Sequence, residues 1–83
     1  MNIKDALLEF ESAGFEARQF NSYQIRIAPP DFMKEHFKFW DWYFTTGSLV
    51  ENGKNDDGVN YVARDGTFET AKELSKHLMG KLK

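Results

Sequence analysis

Two histidines, His36 and His77, are the first candidates for acid–base or metal chemistry, and neither has a second histidine four residues away, the spacing that sets two ligands on one helical face. Cysteine is absent, so thiolate zinc sites and redox pairs are excluded. Asp56 and Asp57 are adjacent and therefore point apart on extended backbone, which suits solvation of a loop better than a shared acid–base task. Asp57-Gly58 superficially suggests a calcium loop. Placing Gly58 at the required glycine puts Gly53 first and Arg64 last, where carboxylates are needed, so the ligand set fails. No phosphate-cradling glycine loop is present, and no serine stands in a nucleophile elbow. The expectation is a protein without catalytic residues, metal or cofactor.

The residue types that can do work are aromatic. Phe37, Phe39, Trp40, Trp42, Tyr43 and Phe44 form one dense run. Aromatic residues favour a strand, and side chains alternate across a sheet. One face then receives Trp40, Trp42 and Phe44, and the other receives Phe37, Phe39 and Tyr43 with Asp41 among them. If both helices cover the first face, the second keeps its rings available to a protein partner or to a second copy of the chain, with Phe37, Phe39, Asp41 and Tyr43 as contact residues. One helix on each face would instead make all six rings core. Nucleic acid is a further candidate partner, because exposed rings can stack bases. Arg18 and Arg26 on the preceding hairpin, with Lys34 and Lys38 beside the aromatic run, would then hold phosphates. Asp31, Glu35 and Asp41 oppose Lys34 and Lys38 around the aromatic run, so the expected field there is near neutral or acidic.

The elements that position these residues follow from periodicity. Ile3, Ala6, Leu7, Phe10 and Ala13 recur at helical spacing, with Asn2 to cap the start and Gly14 to end it. Phe15, Ala17 and Gln19, then Tyr23, Ile25 and Ile27, alternate as two strands around an Asn21-Ser22 turn, and Pro29-Pro30 stops the second. Residues 31–36 read as loop. After the aromatic strand, Thr45-Thr46-Gly47 turns the chain into a short return strand at Leu49-Val50. Residues 52–58 hold the turn pairs Asn52-Gly53 and Asp57-Gly58 and read as an exposed loop. Val59, Tyr61 and Ala63 alternate as a last short strand, closed by Asp65-Gly66. Thr70 and Glu73 form a capping box, and Ala71, Leu74, Ser75, Leu78 and Leu82 make the stripe of a final helix. The fold class is α+β: a helix, an antiparallel meander of four to five strands and a helix, with both helices on one sheet face.

Length and composition bound the rest. The 83 residues suit one domain, 1–83, with one core built by apolar packing. A net charge of −2 gives no general attraction to polyanions. The middle is acidic, through Asp31, Glu35, Asp41, Glu51, Asp56 and Asp57, while the last stretch is basic. No long apolar run is present, and Asp5, Glu9 and Glu11 stand where a signal peptide would be basic and then apolar. Together with the lack of cysteine, this predicts a cytoplasmic protein with no membrane association.

Two resemblances add to that reading. The stretch Ala13-Gly14-Phe15-Glu16-Ala17-Arg18-Gln19, after an amphipathic helix and before Ser22 and a strand, resembles the opening of HicA-type toxins, small RNA-cleaving proteins with a double-stranded-RNA-binding-like fold of helix, three strands and helix. Where that family carries Gly-Ser-His, this chain has Asn21-Ser22-Tyr23, so the resemblance implies RNA binding without cleavage, with Arg18, Ser22 and Arg26 lining the RNA face. Separately, Asp41-Trp42-Tyr43-Phe44-Thr45-Thr46-Gly47 resembles a hairpin motif of small phage and prophage proteins. That implies a regulatory or binding role, or inhibition of a host defence nuclease with Glu51, Asp56 and Asp57 imitating phosphates. The leading expectation is a non-enzymatic binding module of phage or prophage type.

Overall fold

A computed structural model describes residues 2–29 and 38–81. Helix α1 spans Ile3–Ser12, and Asn2 caps it by accepting from the backbone N–H of Lys4 at 2.9 Å. Gly14, at φ 96°, turns the chain out of the helix. Strands β1 (Glu16–Asn21), β2 (Gln24–Ala28), β3 (Phe39–Tyr43), β4 (Ser48–Lys54) and β5 (Asn60–Thr67) follow, then helix α2 (Ala71–Lys81). The five strands form one antiparallel sheet in the order β1-β2-β3-β4-β5, a meander in which each strand pairs only with its chain neighbours.

The expected α+β architecture is the observed one, with both helices on the same side of the sheet. Ala6 and Phe10 of α1 and Ala71, Leu74 and Leu78 of α2 share one apolar cluster with Ile25, Ile27, Trp40, Trp42 and Leu49 of the sheet. Phe10 stands edge-on to Trp42 with ring centroids 5.8 Å apart, and Phe15 edge-on to Trp40 at 6.4 Å. These contacts add to area burial through the ring quadrupoles. The Trp42 indole N–H donates to the Phe68 carbonyl at 3.2 Å, so this fully buried ring carries no unpaired polar atom. Thr70 Oγ1 accepts from the Glu73 backbone N–H at 3.2 Å, as the capping box requires.

Several boundaries differ from expectation. The first hairpin turns at Ser22-Tyr23, because Asn21 ends β1 and its side-chain oxygen accepts from the Tyr23 N–H at 3.0 Å. Tyr23 therefore lies in the turn instead of the strand, and is exposed. Strand β4 runs on through Asn52-Gly53-Lys54, so the exposed turn is confined to residues 55–59. There Asn55 Oδ1 accepts from Asp57 and Val59 N–H groups, both at 3.0 Å. Strand β5 continues through Asp65-Gly66 to Thr67. The expected loop at residues 31–36, Phe37 and Leu82 lie outside the described residues.

Candidate functional site

Because the helices cover one side of the sheet, the alternate side chains of all five strands face away from them. Residues in direct register make a row across that face: Arg18 on β1, Arg26 on β2, Asp41 on β3, Val50 on β4 and Arg64 on β5. With strands about 4.8 Å apart, the row is about 19 Å long. One step along the strands, Phe39, Asn52 and Val62 are in register on one side of the row, and Tyr43 and Ser48 on the other.

Arg26 organises the middle of this surface. Its Nε donates to Asp41 Oδ1 at 2.9 Å and its Nη2 to Asp41 Oδ2 at 3.4 Å, a two-point grip that fixes the guanidinium plane. The guanidinium carbon lies 4.3 Å from the Phe20 ring centroid and 4.7 Å from that of Phe39, so the cation is held between two π faces. Asn52 Nδ2 donates to Asp41 Oδ2 at 3.3 Å. Beside this unit, Tyr23 and Tyr43 stack with centroids 6.3 Å apart and planes 18° off parallel. Phe20 is 53% exposed and Tyr23 50%, while Val62, farther along the sheet, is 71% exposed. A groove of about 490 Å³ opens at the Phe39 end, lined by Ala28, Phe39, Asn52, Lys54, Tyr61 and Val62 among others.

Phe39 and Tyr43 lie on the open face and are partly exposed, as the alternation predicts. Asp41 corrects the expected contact set: at 6% exposure it is buried and spent on Arg26 and Asn52, so it positions the arginine instead of meeting a partner. Arg18 and Arg26 belong to the same face, and Ser22 is exposed in the adjoining turn. The expected near-neutral or acidic field rests on Asp31, Lys34 and Glu35, which lie outside the described residues, so only the described charges of this face are placed. Arg18, Arg26, Lys54 and Arg64 occupy this face against Glu16 and the already paired Asp41. Phe20, Tyr23 and Arg64 were missed by reading the aromatic run alone. The alternation of Glu16, Arg18 and Phe20 along β1 is a signal that points to Phe20.

A second polar cluster sits on the helix side. Glu51, 8% exposed, accepts from the Trp40 indole at 3.2 Å, the Tyr61 hydroxyl at 3.0 Å and Lys81 Nζ at 3.3 Å. Lys81 also pairs with Asp65 at 2.6 Å, and His77 Nε2 lies 3.4 Å from Asp65 Oδ2. Burial pushes the Glu51 carboxyl up, but hydrogen bonds from Tyr61 and Lys81 and the lysine's charge outweigh it and leave it below its ordinary value. Burial, then the bond to Glu51, raises Tyr61. Burial lowers Lys81, yet its two carboxylate partners more than offset this and raise it. All three move away from neutrality, the opposite of the tuning that general acid–base catalysis uses. Glu51 is thereby engaged inside the fold and is not a surface phosphate mimic, whereas Asp56 and Asp57 are exposed in the β4–β5 turn.

Among the described residues, no three His, Cys, Asp or Glu side chains come together to hold a metal ion. Among them also, no helix is long and apolar enough to cross a membrane. No protein-family model, curated protein or solved structure matches the chain.

Proposed function

We propose that this chain is a non-enzymatic cytosolic binding module that engages a macromolecular partner through its open sheet face. The observation that carries the reading is the one-sided placement of the helices, which leaves Phe20, Tyr23, Phe39 and Tyr43 partly exposed around a clamped arginine. Exposed rings held in fixed planes lose little freedom on contact, so binding there costs less entropy than at a flexible patch. A regulatory role of the phage or prophage type accords with the Asp41-to-Gly47 hairpin, and the binding reading stands without it.

The test is recovery of a bound macromolecule from host lysate by the tagged chain. Phe20→Ser with Tyr43→Ser should abolish recovery while leaving the far-ultraviolet circular dichroism and the melting temperature nearly unchanged. Lys76→Ala on the outer side of α2 should leave recovery intact. Retention of the partner by the double variant, or equal loss in the helix variant, would remove the open face from consideration.

A further inference from the structure

We infer that the ligand of the open face is single-stranded nucleic acid, its bases on the rings and its phosphates on the cations. This rests on the open-face reading above and names the partner class.

Charge is segregated to suit a polyanion. The chain as a whole carries −2, yet the described residues facing away from the helices include Arg18, Arg26, Lys54 and Arg64 against only Glu16 and Asp41. Asp41 is neutralised by Arg26 and buried beneath it. Arg18, Lys54 and Arg64 have no carboxylate partner among the described residues. Glu16 stands at one corner and is, with the paired Asp41, the acidic residue of this face among the described residues. Cations thus occur from one end of the cross-strand row to the other, and such a track attracts phosphates at long range.

Ring placement supplies the second half. Phe39 lies on one side of the row, Tyr43 with Tyr23 on the other, and the Phe20 ring against Arg26 toward the β1 end. A strand laid along the row meets cations at both ends and rings over its β1–β3 half, a combination that binds unpaired bases with little regard to sequence. Duplex bases are already stacked and hide the faces these rings would need. A second copy is the weaker occupant, since a two-fold contact would set the positive row against itself.

The experiment is fluorescence anisotropy with fluorescein-labelled single-stranded 12-mers of deoxythymidine and of uridine, and a duplex of matched length, at salt from 50 to 200 mM. Three cations without a carboxylate partner among the described residues predict a log–log salt slope of about −2 for single strands. Arg18→Ala with Arg64→Ala should flatten that slope to about −0.7. Phe20→Ala and Tyr43→Ala should each weaken binding about tenfold at every salt concentration and leave the slope unchanged. Equal binding of duplex and single strand, or ring variants that bind as tightly as the parent, overturns the inference. So does the absence of any anisotropy change at 50 mM salt, and so does a dimer in light scattering that Tyr43→Ala dissociates. If the oligonucleotides fail while Phe20→Ser with Tyr43→Ser still loses a protein from lysate, this inference falls and the open-face reading survives. If that double variant loses nothing, both fall.

Discussion

The two faces of the sheet hold the same device in different settings. Glu51 on the helix side and Asp41 on the open side are both buried carboxylates, each held by one cation and by neutral donors. Glu51 takes its cation from Lys81 at the end of α2, whereas Asp41 takes Arg26 from the neighbouring strand. The first pair therefore ties a helix to the sheet and contributes to tertiary structure. The second ties two adjacent strands that are already paired, and what it adds is a fixed orientation for Arg26 and the rings around it.

Four measurements test that contrast. Trp42→Ala, on the helix side, should cost about 3–5 kcal/mol. Against a total of roughly 4–12 kcal/mol for a chain of this size, the variant should be largely unfolded in mild urea. Tyr43→Ala, one residue along on the open side, should shift the urea midpoint little. Similar losses at the two positions would show that both faces are core.

Gly47→Ala should rank next, at about 1–3 kcal/mol by urea titration. Gly47 sits at φ +83°, and an added Cβ would meet the Phe68 carbonyl oxygen at 2.8 Å. That oxygen belongs to the backbone leading into α2 and has little room to move. The penalty should therefore fall on the docking of α2, and a melting curve unchanged from the parent would contradict it.

Arg26→Ala should cost about 1–2 kcal/mol, because among the described residues Asp41 would keep only Asn52 as a donor. The variant should also raise the mobility of Phe20 and Phe39, seen as averaging of their ring resonances in NMR spectra. Asp41→Asn is the sharper control, since it keeps the shape and weakens the grip.

The smallest effect is the pH dependence of the helix-side cluster. Glu51 titrates below its ordinary value in the fold, so its contribution is full above the ordinary value and is lost as pH falls through the lowered one. Tyr61 and Lys81 are raised from 10.0 and 10.5, so their contribution is full below those values and is lost as pH rises through the raised ones. Urea midpoints measured from pH 3 to 11 should form a plateau with these two shoulders. In Glu51→Gln the acid shoulder should shrink, and in Lys81→Met the alkaline one.

Much of the architecture was legible because caps and alternation are local. Asn2, Gly14 and Thr70 mark helix ends, and the run from Phe39 to Tyr43 assigns its own faces. Asn52-Gly53 misled for a physical reason. The pair has the composition of a hairpin turn, but Gly53 pairs with Tyr61 in the β4–β5 ladder, and the Tyr61 hydroxyl lies 2.8 Å from where its Cβ would be. A glycine required by close approach has the same letter as one required by a turn. Tyr23 misled similarly, since the Asn21 side chain moves the turn by one residue. At the candidate site, Phe39 and Tyr43 were readable from one strand. The clamp of Arg26 by Phe20, Phe39 and Asp41 joins three strands, and only their register brings it together.

A meander also has two outer strands, β1 and β5, each with one side of its backbone ladder unmatched within the sheet. Such margins invite edge-to-edge growth into ribbons and fibres, and charged side chains are a common deterrent. Arg18 and Arg64 sit on those two margins, at opposite ends of the cross-strand row. The same guanidinium groups that would grip a ligand thereby act as gatekeepers against self-templated aggregation, so exchanging both for neutral residues carries a solubility cost.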